Sequence, residues 1–254
     1  MQSTGTGFFF LFSIKEENNV PVLVTNKHVI KDAEIGRLVF TISTDENTPQ
    51  YGEKIFYIIH DFESSFYLHP DANVDLCFMP MQPVLEDART RHNRKLFTVS
   101  LSESNIPTPE QIENLSVLED IIMVGYPNGL WDEANNLPII RRGVTAIHPK
   151  FDYNYKSDIV VDIACFPGSS GSPICVFNQG SYVTGNDVII GSRLFLLGVL
   201  YAGPQQTAIG KIQTVTIPTL VVPIATTNVM INLGYAVKSR RLLDFKAIIE
   251  PLVR

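Results

Sequence analysis

One turn in this sequence has the make-up that a nucleophile's seat requires: Pro167-Gly168-Ser169-Ser170-Gly171-Ser172-Pro173. A hydroxyl that attacks a carbonyl must project from a tight turn. Backbone N–H groups must meet the negative charge that develops on the carbonyl oxygen. Glycines permit such a backbone because they adopt φ values other residues avoid. Each well-placed N–H donor is worth about 10²–10³ in turnover. The turn lies between two apolar stretches, Ile159 to Ile163 and Ile174 to Phe177. That setting separates it from the Gly/Ser punctuation of a polar loop. Ser169, Ser170 and Ser172 are all chemically eligible at this point.

A serine hydroxyl needs an adjacent base, and histidine is the usual one because its pKa lies near neutrality. The chain offers His28, His60, His69, His92 and His148. His28 stands where the apolar run Val22-Leu23-Val24-Thr25 ends, after Asn26-Lys27. His92 sits in a solvated basic cluster from Arg89 to Lys95, and the other three lie near turn residues. The base in turn needs a carboxylate to fix its tautomer and stabilise the imidazolium. Asp75 heads the apolar run Leu76-Cys77-Phe78-Met79. A charge buried there without a partner would cost several kcal/mol, so it requires a partner or an exposed strand end. Asp71 and Asp61 are the weaker alternatives.

These segments together resemble the trypsin-like serine peptidases. Gly168-Ser169-Ser170-Gly171-Ser172-Pro173 is similar to the family's Gly-x-Ser-Gly-[Gly/Ser]-Pro, and its Ser172 form to that of glutamyl endopeptidases. Val161-Asp162-Ile163-Ala164 resembles the same stretch in HtrA-like proteases. Gly5-Thr6-Gly7-Phe8, followed by an apolar strand and Thr25-Asn26-Lys27-His28-Val29, resembles the approach to the family's histidine. Asp75-Leu76-Cys77-Phe78-Met79 resembles the aspartate segment. The order His, Asp, Ser is the chymotrypsin order.

The resemblance implies a serine endopeptidase with a catalytic triad of Ser170, His28 and Asp75. It implies an oxyanion hole from the N–H groups of Gly168 and Ser170. It implies a primary pocket bordered by Ala164, Cys165, Tyr201, Ala202, Gly203 and Gly234, and a substrate-pairing strand at Gly198 to Gly203. With Ala164 at the pocket base, the expected P1 residue is uncharged, small to medium or aromatic. No metal or organic cofactor is expected. The expected partners are a polypeptide substrate and an activating protein, with no nucleic acid and no membrane. Where zymogens of this family carry an aspartate before the nucleophile, this chain has Ser169. The amino-terminal switch is therefore expected to be absent, with the site formed at once or ordered by a partner or ligand. A regulated protease of narrow specificity is expected, by analogy with similar stand-alone domains in bacterial stress and defence pathways. The other class of function open to the fold is a silent module that binds an extended peptide without cutting it.

The elements that must position these residues read as short strands bounded by turn residues. In the first half they are Gly7–Ser13, Pro21–Thr25, Arg37–Ser43, Lys54–Ile59, Ser65–Leu68 and Val74–Met79. In the second they are Asp120–Gly125, Leu137–Ile147, Ile159–Ile163, Ser172–Phe177, Leu194–Tyr201 and Leu233–Val237. The expectation is all-β: two six-stranded antiparallel barrels, residues 1–100 carrying His28 and Asp75 and residues 120–238 carrying Ser170. A connection spans 101–119, with a short helix after Thr108. After Ser239, read as an N-cap, the spacing of Leu242, Phe245, Ile249 and Leu252 predicts a terminal helix over 239–254. The segment Pro204 to Met230 is either a long hairpin over the cleft or extra strands closing the second barrel.

Bulk composition sets aside other classes. Of 254 residues, 45% are hydrophobic and 18% charged, with a net charge of -6. That supports a packed core and gives no basic stripe for nucleic acid. No apolar run approaches the roughly 20 residues that span a bilayer, and no signal peptide precedes Phe8, so a cytoplasmic location is expected. Three cysteines, Cys77, Cys165 and Cys175, are neither a disulfide framework nor a zinc site. They fit a reducing compartment. A bridge between Cys165 and Cys175 stays open, since both flank the turn.

Overall fold

Two sheets and a barrel are stacked so that strands in the middle are buried on both faces. The structure, a computed structural model, describes residues 3–14, 18–45, 48–185, 187–211 and 224–252. The first half contains β1 (Phe8–Ile14), β2 (Asn18–Thr25), β3 (Ile35–Ser43), β4 (Pro49–His60), β5 (Tyr67–Leu68), β6 (Cys77–Pro80), β7 (Lys95–Phe97) and β8 (Ser100–Ser102), with helices α1 (Lys27–Ile30) and α2 (Gln82–Thr90). The second half follows the short helix α3 (Pro109–Glu113). It comprises β9 (Asp120–Gly125), β10 (Ile139–Thr145), β11 (Asp158–Asp162), β12 (Pro173–Asn178), β13 (Ser181–Thr184), β14 (Asp187–Ile190), β15 (Arg193–Ala202), β16 (Gln205–Lys211), β17 (Ile224–Met230) and β18 (Leu233–Lys238). A 3₁₀ turn at Ser239–Phe245 and helix α4 (Lys246–Leu252) complete the chain.

Among the described residues, the second half closes and the first does not. Strands β10-β11-β18-β15-β12-β9 form a six-stranded barrel. The first half, expected to be a second six-stranded barrel, is instead a five-stranded sheet β5-β6-β2-β1-β8 and a three-stranded sheet β4-β3-β7. One passage, Lys95 to Ser102, joins them: β7 pairs with β3, and β8 pairs with β1 in parallel. Among the described residues, β4 and β5 are not paired, so the ladder is open there. Loop Asp61–Phe66 spans the opening, with Phe66 7% exposed in the shared core.

Burial on both faces explains the apolar runs. Along β2, Val22 and Val24 face the core between the halves while Leu23 faces the N-terminal core. Along β6, Phe78 takes the first side and Cys77 and Met79 the second. A strand covered on both faces loses the apolar–polar alternation of a half-exposed one. The barrel strands meet the same inter-half core with Cys175, Leu196, Val199 and Val237, and fill their own interior with Ile174, Val176, Leu197, Leu200 and Ala236.

Several finer expectations change. Helix α3 forms as expected, with a capping box in which the Thr108 hydroxyl accepts from Gln111 N–H and Gln111 Oε1 accepts from Thr108 N–H. The terminal element starts as a 3₁₀ turn, and Ser239 lies within it rather than capping it. The three-residue step from Leu242 to Phe245 suits that tighter helix. Leu242, Phe245 and Ile249 seal the inter-half core, while Leu252 is exposed. Of the segment Pro204 to Met230, strands β16 and β17 pair with each other in a separate two-stranded sheet and not with the barrel wall; residues 212–223 lie outside the described residues. All three cysteines are free and buried. Cys165 points into the barrel and Cys175 into the inter-half core. The open pairing between them is not made, because the two thiols face opposite sides of the barrel wall.

Candidate active site

The pairing register of β2 with β6 brings His28 to Asp75. Thr25 lies opposite Cys77. The chain leaves β2 into α1, which carries His28, while Asp75 sits just before β6. The Asn26 side chain donates to Asp75 O (2.7 Å), fixing that backbone. The Asp75 carboxylate then holds the histidine at two points: Oδ1 accepts from His28 N–H (3.2 Å) and Oδ2 lies 2.5 Å from Nδ1. A carboxylate acceptor there keeps the proton on Nδ1 and leaves Nε2 free to accept one. The Asp75 side chain is 26% exposed and the His28 side chain 47%, so the ring can meet a substrate.

A second layer anchors the loop that delivers Asp75. His69 is buried; its Nδ1 accepts from Asp71 N–H (3.1 Å) and its Nε2 lies 3.1 Å from Asp244 Oδ2 and from Arg241 O. Arg241 pairs with Asp71 (2.8 Å). The Asn73 N–H on its carboxylate, aided by Arg241, holds Asp71 below the usual carboxylate range. The C-terminal element thus braces the aspartate loop.

In the turn between β11 and β12, four successive carbonyls are each taken by a donor. Pro167 O accepts from Asn128 N–H (2.6 Å), Gly168 O from the Thr6 hydroxyl (2.8 Å), Ser169 O from Ser172 N–H (3.0 Å) and Ser170 O from Thr6 N–H (2.9 Å). In a planar trans peptide the N–H points opposite to the C=O. The N–H groups of Gly168 and Ser170 are therefore turned away from these anchors. Among the described residues neither has a hydrogen-bond partner, whereas Ser169 N–H bonds Phe166 O and Gly171 N–H bonds Leu200 O. Two such free donors in one turn can receive an oxyanion. Gly168 (φ +86°) and Gly171 (φ +88°) occupy left-handed backbone; a Cβ on Gly171 would overlap Thr6 O.

The three serines differ in access. Ser169 and Ser172 are 1% and 0% exposed, while Ser170 is partly exposed. The Ser170 hydroxyl donates to Tyr201 O (3.3 Å). Among the described hydrogen bonds, none joins Ser170 to His28. The connection runs through backbone instead: Ser170 O to Thr6 N–H, and Thr6 O to the Thr25 hydroxyl (2.7 Å), three residues before His28.

The strand expected to pair with substrate is open over only part of its length. Gly198 and Val199 are paired on both sides, with β12 and with β18, and Leu200 N–H bonds Ser172 O. The ladder to β18 slips between Leu200 and Ala202, so Tyr201 is a bulge. From there, Tyr201 to Gly203 have no strand partner on the β12 side among the described residues, and the Ser170 hydroxyl alone takes Tyr201 O. The Tyr201 phenol donates to Asp158 Oδ2 (2.8 Å), and burial together with that carboxylate pushes its pKa up. Cys165 sits between the expected pocket walls. A Cβ on Gly234 would stand 2.7 Å from its Sγ, and one on Gly203 would stand 3.2 Å from its Cβ. The thiol is buried, which pushes its pKa up to about 11. Ala164 offers its carbonyl to Arg141 (2.7 Å), whose guanidinium lies 4.6 Å from the Phe166 ring centroid. Among the described residues no group of three or more His, Cys, Asp or Glu is placed to hold a metal ion.

Sequence reasoning missed Thr6, Thr25, Asn128 and Asp158. The Gly5-Thr6-Gly7 and Thr25-Asn26-Lys27-His28 segments were legible, but a threonine in a strand-leading segment carries no signal of where its hydroxyl points.

A family model described as a trypsin-like peptidase domain matches residues 5–185. No curated protein matches the sequence significantly. Two similar solved structures are HtrA-type proteases. The one with a decapeptide is 13% identical at a TM-score of 0.41, over 92% of this chain and 48% of that one. The one with a tripeptide is 12% identical at a TM-score of 0.41, over 96% of this chain and 59% of that one. The chain thus spans about half the length of these structures.

Proposed function

From the premise that this chain belongs to the family of trypsin-like peptidase domains, we propose that it is a serine endopeptidase with Ser170 as nucleophile, His28 as general base and Asp75 as the orienting carboxylate. Ser170 Oγ attacks the scissile carbonyl and His28 Nε2 takes its proton. The tetrahedral oxygen is received by the N–H groups of Gly168 and Ser170. His28 then protonates the leaving amine, and water hydrolyses the acyl-enzyme by the same steps in reverse. The observation that carries this reading is the two-point hold of Asp75 on His28, through ring Nδ1 and backbone N–H. A histidine merely capping a strand end would need no such carboxylate.

The substrate is an extended polypeptide segment that adds to the open edge at Tyr201–Gly203. Its P1 side chain enters a neutral pocket bordered by Ala164 and Cys165. With the Cys165 thiol facing Gly234 and its Cβ facing Gly203, the pocket favours small uncharged side chains. Profiling against a P1-diverse peptide library checks this, and a strong preference for Lys or Arg refutes it.

One observation favours the second reading, a module that binds peptides without cutting them: the Ser170 hydroxyl is engaged with Tyr201 O rather than with His28. The peptidase reading accommodates it. A substrate strand pairing along Tyr201–Gly203 donates its own N–H to that carbonyl and frees the hydroxyl to turn toward His28. A fluorophosphonate probe separates the two. Labelling at Ser170 that disappears in His28→Ala and Ser170→Ala is the peptidase outcome; an unlabelled, folded wild type is the binding-module outcome.

A further inference from the structure

We infer that Thr6 is a positioning residue for the oxyanion site, an inference that rests on the peptidase reading above. Thr6 is 2% exposed, yet each of its polar groups is engaged across the site. Its N–H donates to Ser170 O (2.9 Å), and its carbonyl accepts from the Thr25 hydroxyl (2.7 Å). Its hydroxyl accepts from Tyr126 N–H (3.0 Å) and donates to Gly168 O (2.8 Å). A hydroxyl has one proton. Because the Tyr126 N–H occupies a lone pair, that proton is directed to Gly168 O.

The consequence falls on Gly168. Its left-handed backbone gives it freedom that other residues lack, and its two flanking peptides decide where its N–H points. The Pro167–Gly168 peptide is held by Asn128 N–H, and the Gly168–Ser169 peptide by the Thr6 hydroxyl. Rotating the Gly168 N–H away from the oxyanion position breaks at least one of these bonds. The fold makes room for the clamp: a Cβ on Gly125 would stand 2.8 Å from Thr6 Oγ1. Thr25 ties the same residue to the strand that delivers His28. Thr6 therefore links the nucleophile turn, the Tyr126–Gly129 turn and the histidine strand. Ser169, the residue that follows Gly168, brings no carboxylate to order the turn. A neutral hydroxyl from the N-terminal segment takes that task.

The test is the rate of fluorophosphonate labelling. In that reaction Ser170 Oγ forms a bond to phosphorus, the P–F bond breaks, fluoride leaves and the serine proton passes to His28. The phosphoryl oxygen occupies the oxyanion position. Thr6→Val keeps shape and removes the hydroxyl. The maximal labelling rate is expected to fall about 10- to 100-fold with half-saturation and the pH profile unchanged, and Thr6→Ser is expected to restore it to within about threefold. A folded Thr6→Val labelled at the wild-type rate overturns the inference. So does a loss confined to half-saturation, or a failure of Thr6→Ser to rescue. Should Thr6→Val not fold, Thr25→Val decides: it removes only the anchor on Thr6 O, and a rate unchanged from wild type overturns the clamp, whereas a fall supports it. A wild type that is not labelled at all overturns the peptidase reading instead, and the clamp with it.

Discussion

Replacing Asp75 by Asn tests the core of the proposed chemistry because the geometry forces the amide into a losing choice. The carboxylate accepts at both oxygens, from His28 N–H (3.2 Å) and from Nδ1 (2.5 Å). An amide has one acceptor and one donor end. If its oxygen faces Nδ1, its NH₂ opposes His28 N–H, leaving donors against each other at a cost of about 1–3 kcal/mol. If its oxygen faces His28 N–H, its NH₂ faces Nδ1. The ring proton then moves to Nε2, which can no longer accept the proton of Ser170. The productive tautomer is thereby depleted about 5- to 150-fold. The imidazolium formed during attack also loses a charge-assisted bond of about 1.5–3 kcal/mol, another 10- to 150-fold. The two together give about 10²–10⁴ in kcat, the upper end matching the ≈10⁴ loss known for such a substitution in a triad. The assay is steady-state hydrolysis of a fluorogenic peptide, normalised to folded protein, with the thermal midpoint measured in parallel. A folded Asp75→Asn within tenfold of wild type in kcat, or a loss seen only in KM, refutes the assignment of Asp75 as the orienting carboxylate.

Three further outcomes follow from the packing. Gly171→Ala is expected to lose at least about 2 kcal/mol of stability in urea unfolding, since a Cβ meets Thr6 O at a left-handed φ of +88°. Glu119→Gln removes the partner of Arg193 in a pair whose side chains are only 7% and 5% exposed, at 2.8 Å. Uncovering that buried charge is expected to cost about 3–5 kcal/mol, and the double variant with Arg193→Met less than the sum. Burial raises the pKa of Asp158, outweighing the phenol of Tyr201. A raised carboxylate pKa contributes stability only below the unfolded-state value and loses it as pH rises through the folded one. Asp158→Asn is therefore expected to gain in thermal midpoint relative to wild type at neutral pH, with the gain shrinking as pH falls into the ordinary carboxylate range. An unchanged difference from pH 3 to pH 8 counts against that assignment.

Much of this protein was legible along the chain, for reasons that are local. Strand runs such as Val22-Leu23-Val24 and Ile159 to Ile163 record burial in their own composition. The glycines at 168 and 171 record a left-handed backbone that only a turn of this kind demands, and the 3₁₀ and helical steps after Lys238 record which residues face inward. What tertiary structure alone decided are relations between distant segments. Whether a ladder closes depends on edges meeting, and among the described residues β4 and β5 do not pair, while β9 and β10 do. Whether a hydroxyl reaches a glycine turn depends on where the chain returns 162 positions later, as between Thr6 and Gly168. Which side of a barrel wall a thiol faces separates Cys165 from Cys175. Residue type and spacing specify what a segment can form by itself; hydrogen bonds and packing between segments are settled only when the whole chain has buried its apolar surface and every carbonyl must find its donor.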